Sequence, residues 1–133
     1  MKIIWLIPIL FLIAFPLAYA HPFLLDSEPA QGQSVSIGTT QIITYYSEAV
    51  EIDFSELKIY DSDGNQVDNR DTAYNNVESS LIITTSPLED GVYTIASKVL
   101  SKVDGHLVHA AIIFGVGNVQ IDTSLLDSQQ QSE

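Results

Sequence analysis

His21, Asp104 and His106 are the residues whose types and spacing could do chemistry together. A histidine at a free N-terminus offers a metal ion two donors, its α-amine and its ring Nδ1, which close a six-membered chelate. The amine has an ordinary pKa of about 8, so a metal displaces its proton near neutrality. Pro22 follows and has no backbone N–H, so a metal cannot take the amide nitrogen of the second residue. The remaining donors must then come from elsewhere in the chain. Asp104 and His106 stand two apart, and in an extended segment residues i and i+2 project from one face, so a carboxylate and an imidazole would share one space. Asp104-Gly105 also reads as a plain turn with His106 exposed beside it; the pair taken alone favours that reading, and it is a histidine at the expected cleavage point that shifts the balance toward a shared site. His109 is an odd step from His106 and would point the other way along a strand, so it is left outside the ligand set.

One amine nitrogen, two imidazole nitrogens and one carboxylate oxygen in a roughly planar array favour Cu(II), which also heads the affinity order for such sites. Zn(II) accepts the same donors in a tetrahedron and is the competing ion. The chain has no cysteine, and its one methionine is Met1. Thiolate chemistry, disulfides and soft sulfur ligands in the mature protein are thereby excluded.

For His21 to be a terminus, the chain must be cut before it. Lys2 is a short positive n-region, residues 3–15 are almost wholly apolar, and Ala18-Tyr19-Ala20 has the small-x-small pattern that signal peptidases cut after. Residues 1–20 are therefore expected to be a secretion signal, and the protein to be periplasmic or extracellular. What remains, roughly 110 residues, suits one domain with one modest core. No later apolar run has membrane-spanning length, so no span is expected after signal removal. With 17 acidic against 5 basic residues the net charge is −12, and removal of Lys2 deepens it. Such a surface repels phosphate backbones, which argues against nucleic-acid binding, and attracts cations.

The elements expected to carry these residues are short strands. Residues 23–25 form a brief apolar run, and residues 39–46 are rich in β-branched and aromatic side chains. Residues 57–60 read as a strand ended by the turn signal Asp61-Ser62-Asp63-Gly64-Asn65. Val67 reads as the start of a short strand, residues 68–79 as a polar loop, and residues 81–84 as a strand. Residues 92–100 alternate as a half-buried strand, and residues 107–116 close the set. Residues 50–56 could hold one turn of helix. About seven short strands separated by turns predict an all-β, seven-stranded Greek-key sandwich or barrel. That domain would run over residues 21–118, followed by a polar tail, residues 119–133, expected to be disordered.

Four segments carry a resemblance to a known family. His21-Pro22-Phe23-Leu24 followed by Ser27-Glu28-Pro29-Ala30-Gln31-Gly32 resembles an opening of His, an apolar run and Ser-x-Pro-Ala-x-Gly. Tyr46-Ser47-Glu48-Ala49-Val50 resembles Phe-Ser-Glu-x-Val, and Leu88-Glu89-Asp90-Gly91-Val92-Tyr93-Thr94 resembles Leu-x-x-Gly-x-Tyr-Thr. Ser101-Lys102-Val103-Asp104-Gly105-His106, running on to Phe114-Gly115-Val116, resembles Ser-x-Asp-Gly-His and a Phe-x-Val close. In this order and spacing, over residues 21–117, the chain resembles the copper-resistance protein C (CopC) family of exported copper carriers. The resemblance implies an immunoglobulin-like Greek-key β-fold and Cu(II) held by the terminal His, the Asp and the His of Asp-x-His, which match His21, Asp104 and His106. It implies copper homeostasis or resistance as the role, with a membrane copper transporter or another copper-receiving protein as partner. The methionine-rich Cu(I) loop of some members has no counterpart after Met1. Ala110, His109 and Ser97 depart from the residues common at their positions, a Gly, a small polar residue and an aromatic.

Two other functions compete with a non-catalytic copper carrier. Lytic polysaccharide monooxygenases also hold copper by an N-terminal histidine on a β-sandwich, but they need an open metal position for oxygen, which a direct Asp104 ligand would fill. An exported interaction domain without metal would be marked by a mature start other than His21.

Overall fold

A computed structural model describes residues 23–122 and Ser124. The chain forms eight strands: β1 (Leu24–Glu28), β2 (Ser34–Val35), β3 (Gln41–Tyr46), β4 (Glu56–Tyr60), β5 (Ala73–Asn75), β6 (Val77–Thr84), β7 (Gly91–Leu100) and β8 (Leu107–Val116). They build two four-stranded sheets, ordered β1-β3-β6-β5 and β2-β8-β7-β4. All pairs are antiparallel except β2 with β8, where Ser34 and Val35 lie parallel to Gly115 and Val116. This is the expected all-β sandwich with non-sequential strand order; it has eight strands rather than about seven, and β2, only two residues long, is too short to leave a periodic signal.

The long strands form because one face of each is apolar. On β7, Tyr93, Ile95, Ser97 and Val99 are buried while their neighbours are only partly so. That is the period-2 pattern of a strand with one dry face. On β8 the inward set is Ile112, Phe114 and Val116, and the outward set includes His109 and Ala111. Together with Ile42 and Tyr46 of β3, Leu57 and Ile59 of β4, and Leu81 and Ile83 of β6, they make a single core between the sheets. Phe114 is fully buried and stacks on Tyr93 at 5.6 Å between ring centroids. Each such side chain contributes about 1.5–3 kcal/mol by leaving water. One polar link crosses the core, Tyr46 Oη to Ser97 Oγ at 2.6 Å, and burial raises the phenol above its ordinary pKa.

Two expectations are corrected. Residues 68–79 are not a loop, because they hold all of β5 and the first residues of β6. Asn76 makes the reversal between them with φ 66°, a left-handed conformation that Asn tolerates better than most residues. Val67 starts no strand and is flanked instead by isolated bridges, Tyr60 to Gln66 and Asp68 to Thr85. The turn of helix expected within residues 50–56 is a 3-10 turn, Ile52–Phe54. Among the described residues no helix is long and apolar enough to cross a membrane.

Candidate metal centre

The register of the strands gathers several chain ends at one pole of the sandwich. β7 and β8 pair from Gly91 with Val116 up to Leu100 with Leu107, so the connection of residues 101–106 stands at the Leu100–Leu107 end. β1 begins there too, since Leu24 pairs with Tyr46 at the end of β3. Val50 bridges Ser101, and the amide of Lys102 donates to the Ala49 carbonyl at 2.9 Å. The beginning of the described chain, the segment after β3 and the Asp-Gly-His turn are therefore neighbours.

Asp104 and His106 meet, but not through strand periodicity. Both lie in the connection ahead of β8, and Gly105 between them takes φ +72°. The turn is closed by Gly105 N–H donating to the Ser101 carbonyl at 3.1 Å and Ser101 N–H donating to the His106 carbonyl at 2.8 Å. It brings His106 Nδ1 to 3.0 Å from Asp104 Oδ2, while His106 N–H donates to Asp104 Oδ1 at 3.0 Å. That backbone N–H is the main reason the Asp104 carboxyl sits below its ordinary value of 3.8, with smaller help from the His106 ring. Asp104 is thus held as a carboxylate, the form a metal needs. The His106 side chain is 49% exposed and that of Asp104 21%, so an ion can reach both.

Among the described residues, no group of three or more His, Cys, Asp or Glu side chains comes together in a way that could hold a metal. The turn supplies two donors and a third must join them. His21 lies outside the described residues. Phe23, two positions further on, is fixed: its N–H donates to Ser47 Oγ at 3.1 Å and its carbonyl accepts from Ser47 N–H at 3.0 Å. His109 sits on the outer face of the second sheet opposite Lys98, away from the direction of the core and outside the turn.

Sequence reasoning missed the residues that support the turn. Ser101 is buried, and its hydroxyl donates to Glu48 Oε1 at 2.9 Å while accepting from the amides of Val103 at 3.0 Å and Asp104 at 3.2 Å. Lys102 Nζ pairs with Glu78 Oε1 at 2.7 Å and lies 5.9 Å from the centre of the Tyr74 ring. Ser101 and Glu48 are 53 positions apart, and no spacing rule connects residues at such a distance. Both fall inside segments that carried the family resemblance, which marked them without showing a role.

Comparison with known proteins adds independent observations. The model of the CopC domain family matches residues 24–117. The copper transport protein CutJ of Bacillus subtilis (strain 168) is 29% identical over 116 residues, covering 85% of this chain and 21% of that protein. This chain therefore corresponds to about a fifth of that relative's length. The crystal structure of CopC from Methylosinus trichosporium OB3b superposes with a TM-score of 0.65 at 25% identity, covering 77% of this chain and all of the other. PcoC, a methionine-rich copper resistance protein from Escherichia coli, gives a TM-score of 0.66 at 25% identity, over 74% of this chain and all of the other.

Proposed function

Because this chain belongs to the CopC domain family, we propose that it is an exported, non-catalytic carrier or store of Cu(II) in copper homeostasis. The proposed ligands are the amine and ring nitrogen of His21, the carboxylate of Asp104 and the imidazole of His106. The observation that carries this reading is the juxtaposition of the Asp104–His106 turn with the anchored Phe23 at one pole of the sandwich. Two extended residues span at most about 7 Å, so a terminus two positions before Phe23 stays within reach of that pole. The donor set is nitrogen and oxygen only, which suits the cupric ion, and the absence of sulfur after Met1 argues against a stable cuprous site. Residues 1–20 act in this reading as a leader whose removal frees the His21 amine. A carrier must also release its cargo, and the receiver is then a membrane copper transporter or another copper-receiving protein.

Isothermal titration of protein beginning at His21 tests the reading. One tight Cu(II) equivalent is expected, lost or weakened at least a hundredfold in His21→Ala, in His106→Ala and in a form with one alanine added before His21. Unchanged affinity in the extended form would remove the amine from the site and overturn the proposal. Mass measurement of the exported protein should give a first residue of His21.

A further inference from the structure

We infer that Ser101 is a positioning residue for the metal centre, which it does not touch: its buried hydroxyl sets the geometry of the Asp104 turn. The inference rests on the copper reading for its functional consequence, though not for its structural part. A serine hydroxyl has one proton and two lone pairs. At Ser101 all three are used: the proton goes to Glu48, and the lone pairs receive the amides of Val103 and Asp104. The second of these amides belongs to a proposed ligand, so the hydroxyl holds the backbone from which the Asp104 carboxylate projects.

The partner it chooses matters as much. Glu48 belongs to a run of residues that each grip a different part of the pole. Tyr46 pairs with Leu24, Ser47 exchanges two hydrogen bonds with Phe23, Glu48 holds Ser101, and the Ala49 carbonyl takes the Lys102 amide. This one segment therefore measures the distance between the start of the described chain and the Asp-Gly-His turn. Ser101 reaches the segment with its side chain, and it is almost fully buried at 2% exposure while residues 102–106 are exposed. Burying one small hydroxyl under an exposed turn fixes the turn without blocking ion entry. Partners outside the ligand shell that orient ligands typically change metal affinity by about 10–100-fold.

The experiment uses protein beginning at His21, as wild type, Ser101→Ala, Asp104→Ala and the double variant. Without metal, amide hydrogen exchange at Val103 and Asp104 is expected to quicken at least tenfold in Ser101→Ala, with the core strands unchanged. With Cu(II), Ser101→Ala should weaken binding about tenfold and shift the cupric electron paramagnetic resonance spectrum. The same substitution on the Asp104→Ala background should cost little more, because its effect passes through Asp104. Ser101→Thr keeps the hydroxyl and is expected to restore most of the affinity. Unchanged exchange at residues 103 and 104 in Ser101→Ala overturns the structural part whatever copper does. Equal losses of affinity on both backgrounds overturn the route through Asp104. If the wild type binds no Cu(II), the proposed function fails while the exchange result still decides the turn.

Discussion

Gly105 takes φ +72°, and a Cβ built on it would meet nothing within 4 Å. Space is therefore no obstacle to a side chain there, and only the left-handed backbone is. An L-residue pays about 1–2 kcal/mol for that conformation, and Asn pays less than Ala because its short polar side chain bonds locally. Gly105→Ala should lower unfolding free energy by about 1 kcal/mol, and Gly105→Asn by less, as read by urea denaturation. Equal stability of all three proteins would mean that the turn is not held in the left-handed conformation. The same residue explains what was legible in this part of the sequence. The spacing of Asp104 and His106 correctly predicts that their side chains meet, yet the reason lies in Asp-Gly turn chemistry rather than in a strand's two-residue period. Both routes bring a carboxylate and an imidazole together, so the pairing was readable while its geometry was not. The role of Ser101 could not be read, because its partner is 53 positions away and serines are too common to mark a contact.

β5 and β6 show how an element escapes a periodicity argument. β5 has three residues at the sheet edge, none of them buried, and β6 opens on exposed Val77 and Glu78. Neither stretch has a dry face, so no apolar alternation is written into it, and polar residues 68–79 look like a loop. By contrast β7 and β8 are ten residues long with one buried face and are legible almost to their ends. The misread stretch matters to the site's surroundings. Tyr74 of β5 donates its hydroxyl to the Val50 carbonyl at 2.6 Å and accepts from the Ile52 amide at 3.2 Å, next to the segment that holds Ser101. Just before β5, Asp71 takes the Thr84 amide at 2.9 Å and the Thr84 hydroxyl. Desolvation would raise its pKa, but these hydrogen bonds outweigh it and the carboxyl lies below 3.8. A carboxyl whose folded pKa is depressed adds stability above its unfolded pKa and loses it as pH falls through the folded one. Asp71→Asn should therefore lower the denaturation midpoint at pH 7 and flatten its decline below about pH 4. Parallel midpoint curves for both proteins from pH 7 to pH 3 would show that Asp71 does not couple to folding.

Charge acts on the molecule as a whole. The net charge is −12, with 17 acidic residues against 5 basic ones. Of those few cations, Lys58 and Lys98 both approach Glu56 and Lys102 pairs with Glu78, so among the described residues most carboxylates have no lysine or arginine paired with them. The result is a field that repels itself and attracts a dication, and both effects are screened over about 8 Å at physiological ionic strength. They give opposite dependences on salt. Self-repulsion destabilises the compact state, so raising a non-coordinating sodium salt from 10 mM to 500 mM should raise the melting temperature. The same screening removes the attraction that draws Cu(II) in, and steering of this kind changes association rates by about 10–1,000-fold. Stopped-flow mixing of Cu(II) with protein beginning at His21 should therefore show an association rate that falls at least tenfold over that salt range. The dissociation rate, set by bonds within the ligand shell, should change little, so the equilibrium affinity falls by the same factor. A salt-independent association rate together with a rising melting temperature would mean that the acidic surface shapes stability alone and plays no part in capturing the ion.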